Sequence, residues 1–221
     1  MTTINKEEIQ KFSNLAEEWW DVKGKFKPLH MFNPVRIEYI LDEITKHFQL
    51  SSNNKYKLKN LKILDIGCGP AEIIEHIPNC NYYGYDIDKR SIAYAKKKYT
   101  SKNYHFFYKK FENKEIKKLP KFDFVILFGI LHHLNNEQAK NILFFCKKKM
   151  KKNSTLLTED PVIINNQNSI AKFFITRDRG KNVRKKEGYL NLLNLHFKKL
   201  KFKILHQSFV PYTWFITTCK K

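Results

Sequence analysis

The chain has 221 residues, 42% hydrophobic and 14% aromatic, enough for one domain with a full core and too apolar for a disordered segment. Its formal net charge is +21, carried almost wholly by lysine, with arginine only at Arg36, Arg90, Arg177, Arg179 and Arg184. Because bidentate recognition of phosphates and guanines relies on arginine, a nucleic-acid partner is the least favoured reading. The lysines fit the codon bias of an AT-rich genome or attraction to an anionic membrane surface, and charge alone leaves RNA open beside them.

The residues up to Phe48 read as helices around a loop. Ile9, Phe12, Leu15, Ala16 and Trp19 recur at helical spacing in the segment Ile9 to Trp20. Gly24 and Pro28 interrupt that pattern. A second helix is expected from Pro34, with Asn33 as its N-cap and an apolar face of Val35, Ile37, Ile40, Leu41 and Ile44. Residues 1–50 are thus expected to form a helical extension, joined by the polar stretch after Ser51 to a domain over residues 58–221.

From Lys62 the period changes. Short apolar runs predict strands at Lys62 to Ile66, Asn81 to Asp86, Tyr104 to Tyr108, Phe122 to Phe128 and Thr155 to Glu159. A short helix follows the first strand, and longer ones are predicted at Lys89 to Tyr99 and Glu137 to Met150. This alternation predicts an α/β fold, a doubly wound and mostly parallel seven-stranded sheet. A helix at Lys186 to Leu200 precedes strands at Phe202 to Phe209 and Thr213 to Cys219. The connection between those two is too short for a crossover, so they are expected to close the sheet as an antiparallel hairpin.

No run approaches ~18 apolar residues, so no membrane span is expected, and the polar N-terminus lacks the apolar stretch of a signal peptide. Cys68, Cys80, Cys146 and Cys219 are widely spaced without a CxxC pair, which suits reduced thiols in a cytoplasm rather than zinc or disulfides. The expected location is cytoplasmic, with peripheral contact to the inner membrane face as the alternative that the lysines suggest.

The most informative segment is Leu64-Asp-Ile-Gly-Cys-Gly69. Two glycines after a strand let backbone approach a ligand closely. A nicotinamide fingerprint would need a third glycine where Glu72 stands, and it does not call for Asp65. A cofactor with a positive amino acid moiety and no pyrophosphate explains both departures. Asp86, at the end of the next strand, stands near the ~20-residue offset at which a carboxylate receives ribose hydroxyls.

On these residues the chain, from about Leu61 onward, resembles the class I S-adenosylmethionine-dependent methyltransferases. The resemblance implies S-adenosyl-L-methionine as cofactor, with Asp65, Gly67 and Gly69 at its methionine part and Asp86 at its ribose. Glu112 is then the candidate for the adenine, and Phe128 and Gly129 stand beside the sulfonium. His132 and His133 follow at the mouth of the site. Aligning a nucleophile and removing its proton is the main task in methyl transfer, so either histidine is a candidate base. Packing or capping is the other reading of the pair.

Residues 12–69 are similar to a narrower group. Trp19-Trp-Asp21, Phe26-Lys-Pro-Leu-His30 and Asn33-Pro-Val-Arg36 resemble the ubiquinone-biosynthesis O-methyltransferases. That implies a cofactor role for Arg36 and a helical lid with Trp19 toward substrate or core. Downstream, that group's Glu-x-x-Glu-His cluster is replaced by Gly129, His132 and His133, which removes the hard oxygen ligands of a divalent metal. No metal site is expected. Arg177, Arg179 and Arg184 cluster where an acceptor's carboxylate or phosphate would be clamped, or else pair with Asp178 in a solvated loop. The expected activity is methylation of a small molecule, at an oxygen of a quinol, phenol or anionic metabolite. RNA methylation and a non-catalytic cofactor-binding scaffold are the alternatives.

Overall fold

The computed structural model describes residues 27–48, 58–111, 117–176, 180–207 and 212–221. The chain divides into two compact units, Met1–Asn60 with Cys68–Lys110, and Leu61–Gly67 with Phe111–Lys221. The helix expected over Ile9 to Trp20 lies outside the described residues.

In the first unit, helix α1 runs Lys27–Phe48. It begins before Asn33 and carries Pro34 inside it, so Asn33 is not the cap that local sequence suggested. The reason is tertiary. The Asn33 amide Nδ2 donates to Glu72 Oε2 at 2.6 Å, a partner 39 residues away that no capping rule can foresee. Of the expected apolar face, Ile40 and Ile44 are buried. Strand β2 (Asn81–Asp86) pairs in parallel with β3 (Tyr104–Tyr108), from Tyr82 opposite Tyr104 to Asp86 opposite Tyr108. Tyr85 stacks on Phe107 across that pair at 4.6 Å between ring centroids. Between them, α2 (Lys89–Lys98) is capped by Asp88, whose side chain accepts from the amides of Arg90 and Ser91. Lys96, Lys97 and Lys98 complement its C-terminal dipole.

In the second unit, strands β1 (Lys62–Ile66), β4 (Phe122–Phe128) and β5 (Met150–Ile163) run parallel. β8 (Tyr212–Lys220) adds antiparallel to β5, and β7 (Lys199–Gln207) pairs antiparallel with β8. The hydrogen-bonded order here is β1-β4-β5-β8-β7, and the two-residue β6 (Arg184–Lys185) pairs with the end of β5. Helix α3 (Asn136–Lys149) starts in a capping box, Asn135 with Gln138. Helices α4 (Ser169–Thr176) and α5 (Lys186–Asn194) follow. Phe122, Phe124, Leu127, Leu143, Leu156, Leu157, Phe197 and Phe215 are fully or almost fully buried.

The alternating strands and helices, and the closing antiparallel hairpin, agree with the expected α/β architecture. Besides α1, three elements differ from the sequence reading. β5 is far longer than Thr155 to Glu159, because β8 and β6 supply ladder partners along its length. α5 stops at Asn194 rather than Leu200, since the alternating residues from Lys199 onward pair with β8. α4, lying between polar stretches, had no predicted counterpart.

Candidate functional site

The loop after β1 turns through three left-handed residues, Gly67 (φ 78°), Gly69 (φ 52°) and Ala71 (φ 60°). Glycine serves two different needs in it. A Cβ on Gly67 would lie 2.3 Å from Ile130 Cδ1, so that position is sterically closed. Around Gly69 nothing approaches within 4 Å of where a Cβ would stand, so that backbone faces open space.

Asp86 closes the end of β2 beside this turn. Its Oδ2 accepts from the Gly69 amide at 2.7 Å and its Oδ1 from the Asp88 amide at 2.8 Å. Burial pushes its carboxyl above the ordinary aspartate range, and the backbone donors of Asp88 and Gly69 only partly offset this. The Ile87 amide adds a third backbone contribution, and the carboxyl still lies above its ordinary range, so further hydroxyl donors would relieve the desolvated charge. Adjacent ribose hydroxyls supply such donors, so the residues present fit the ribose of an adenosyl group. Arg36 lies half-buried on α1 of the same unit. The Asn33–Glu72 bond ties that helix to the segment just past Gly69. Glu72, which stands in for the third glycine of a nicotinamide fingerprint, is thus a structural acceptor.

In the second unit, Asp65 is buried on β1, opposite Ile126 of β4. Phe128 ends β4, buried, and Gly129 follows in a left-handed turn (φ 66°) whose amide donates to the Glu159 carbonyl at 2.7 Å. His132 sits in the 3-10 turn Leu131–His133, buried, with its ring centroid 4.0 Å from that of the half-buried His133. Its Nδ1 is 2.7 Å from Asp160 Oδ1, and the same oxygen accepts the His132 backbone amide at 3.0 Å. These two contacts to one carboxylate oxygen hold the imidazole in place through its Nδ1 side. Asp160 is fully buried, its carboxyl pushed up by desolvation and drawn back by His132. Nothing local announces this pair, since its members lie 28 residues apart.

Gly180 packs against His132 so closely that a Cβ there would fall 2.0 Å from the ring Cδ2. The Asn182 amide donates to the His132 carbonyl at 2.9 Å. Arg184 completes this strap. Its Nη1 donates to the carbonyls of Leu131 and Asn182, its Nη2 to Leu134 O and Asn136 Oδ1, and its Nε also to Asn136 Oδ1. All five guanidinium N–H groups are thereby used. Arg184 differs from the expected substrate clamp, because the carbonyls of a tight turn consume its donors. Trp19, Glu112, Arg177 and Arg179 lie outside the described residues. Among the described residues there is no group of three or more His, Cys, Asp or Glu able to hold a metal ion.

With this geometry in view, comparison with known proteins is informative. A family profile described as a methyltransferase domain matches residues 57–210. The chain is 44% identical over 140 residues to a ubiquinone biosynthesis O-methyltransferase of Pelagibacter ubique, a match spanning 62% of this chain and 57% of that protein. It is 41% identical over 97 residues to the protein of that name from Sinorhizobium medicae, spanning 43% of this chain and 39% of that one. The chain thus spans about half the length of the curated relatives it matches. Among solved structures, magnesium protoporphyrin IX methyltransferase from Synechocystis PCC 6803 with bound SAH superposes with a TM-score of 0.71. That likeness covers 98% of this chain and 100% of the other at 14% identity, and it shows a shared fold.

Proposed function

Because the chain belongs to the class I S-adenosylmethionine-dependent methyltransferase family, matched over residues 57–210, we propose that it methylates an oxygen of a small-molecule acceptor. The observation that carries the reading is Asp86, a half-buried carboxylate held by the Gly69 and Asp88 amides where Gly69 faces open space. Asp86 receives the ribose hydroxyls. The Asp65, Gly67 and Gly69 loop takes the methionine part, with Arg36 at the cofactor's charged end and Phe128 against its sulfur. Glu112 is assigned to the adenine. When bound, S-adenosylmethionine supplies a methyl group on a positively charged sulfur, which is already a good leaving group.

The remaining task is to align a hydroxyl and take its proton. His132 does this at Nε2, and Asp160 fixes the tautomer that leaves this nitrogen basic. His133, tilted against the His132 ring, shapes the mouth of the site. Trp19, Arg177 and Arg179 are assigned to the acceptor, whereas Arg184 acts through the turn it holds.

The relatives named for ubiquinone biosynthesis favour a phenol or quinol as acceptor. A peripheral encounter with an anionic membrane suits such a substrate. It is supported by Ile170, Phe173 and Phe174, which α4 leaves exposed, and by the +21 net charge. No helix among the described residues is long and apolar enough to cross a membrane.

Incubation with methyl-labelled cofactor and a panel of phenols, catechols and quinols tests the activity. Label is expected in an ether product, with equimolar S-adenosylhomocysteine. A protein that binds S-adenosylhomocysteine but labels no acceptor would be a scaffold. Label appearing only in RNA would replace this reading with nucleic-acid methylation.

A further inference from the structure

A separate cavity of about 500 Å³ opens in the second unit between α3, β6 and α5. Its lining includes the cations Lys140, Arg184 and Lys185 and the apolar Leu192 and Leu195. Among the described residues no carboxylate lines it. Among the described residues Lys140 and Lys185 make no salt bridge, in contrast to lysines elsewhere that meet acids, such as Lys151 with Asp123 at 2.8 Å and Lys98 with Glu75 at 2.5 Å. Arg184 donates only to neutral oxygens, and its charge is felt by the Asp160 carboxyl. The nearby Glu187 is paired with Lys186 at 3.4 Å and is also drawn down by Lys185, but it does not line the cavity. Gly188 keeps this wall close, since a Cβ there would stand 3.2 Å from the Arg184 Cβ.

A neutral apolar molecule would leave the cations unmet, and a bare inorganic anion would leave Leu192 and Leu195 uncovered. We propose that this cavity binds a small soluble anion with an apolar body, a phosphate monoester or carboxylate whose charged end meets Lys140 and Lys185. Its hydrocarbon part rests on Leu192 and the exposed Leu195. This site does not depend on the transfer reaction or on its acceptor. It is nevertheless linked to the turn carrying His132, because Arg184 forms its wall and holds the carbonyls of Leu131 and Leu134.

The test is calorimetric titration of phenyl phosphate into the full chain at physiological salt, with inorganic phosphate and phenol as its two halves. Phenyl phosphate is expected to bind at least about tenfold more tightly than either half. Lys140→Glu with Lys185→Glu, both at exposed positions, should weaken it at least about tenfold. Lys96→Glu with Lys97→Glu, an equal charge change on exposed positions of α2, should leave it within about twofold. Equal weakening in the two double variants would assign the binding to the general field of a +21 chain and overturn the proposal. Absence of phenyl phosphate binding would overturn it as well. Vesicles of phosphatidylglycerol in phosphatidylcholine separate the sources of the anion. A chain held on them through Lys140 and Lys185, yet indifferent to phenyl phosphate, would replace the soluble ligand with a lipid headgroup.

Discussion

In the proposed site, Asp86 combines a structural role with the binding of ribose. Its ionised form accepts the Gly69 and Asp88 amides, and burial holds its carboxyl above the usual range. Since the folded value lies above the unfolded one, ionisation opposes folding. That cost is absent below the unfolded value and complete above the folded one. Binding runs the other way, because only the carboxylate can accept two hydroxyls. Affinity for S-adenosylhomocysteine should therefore fall as pH drops, beginning above the range where an exposed aspartate titrates, and titrations across a pH series would measure this. The His132–Asp160 pair makes a second prediction. His132→Ala should lower kcat by about 10²-fold or more, the lower end of what a general base contributes, with cofactor affinity unchanged. Asp160→Asn should lower kcat less, because an amide oxygen still accepts from Nδ1 but without the charge that stabilises the imidazolium. Unchanged kcat in His132→Ala would return this histidine to a packing role.

Among the elements, the turn Leu131–His133 owes its shape to a distant strap. Gly180, Asn182 and Arg184 fix it from a segment about 50 residues later in the chain. Arg184→Met should lower kcat and speed amide exchange at His133 and Leu134, whose own bonds go to Ile130 and Leu131. Arg184→Lys should fail to restore either, because three donors on a point charge cannot replace five in a plane. Rescue by lysine would show that only charge matters there. The same contrast between local and distant causes separates what the sequence revealed from what it hid. β1, β2, β3 and β4 were legible to the residue, as short apolar runs bounded by turn signals. The glycine turn after β1 and the place of Asp86 at the end of β2 were legible, because a tight turn after a strand fixes residue types at short spacing. The inclusion of Pro34 within α1, the Asp160 partner of His132 and the full occupation of Arg184 were not legible. Each depends on a partner 28 to 53 residues away, chosen by tertiary packing.

At the scale of the whole molecule, the four thiols report on folding and on the site together. Cys80, Cys146 and Cys219 are buried, and burial pushes each thiol up to about 12. Cys68 is partly exposed within the glycine loop, between Gly67 and Gly69. In the folded chain iodoacetamide should modify Cys68 first, leaving the other three until the fold opens, and S-adenosylhomocysteine should slow that reaction. Mass spectrometry of the labelled peptides gives the order directly, and rapid labelling of Cys146 in a folded sample would contradict the packing of α3. The central claim is that the glycine loop and Asp86 make an adenosyl site, and one titration tests it most directly. S-adenosylhomocysteine is titrated calorimetrically into the wild-type chain and into Asp86→Ala, with NADH as the control ligand. Saturable binding to the wild type is expected, with at least about tenfold or ~1.4 kcal/mol weaker binding to the variant and none of NADH. Equal binding to both proteins, or no binding by a wild-type chain shown to be folded, would contradict it.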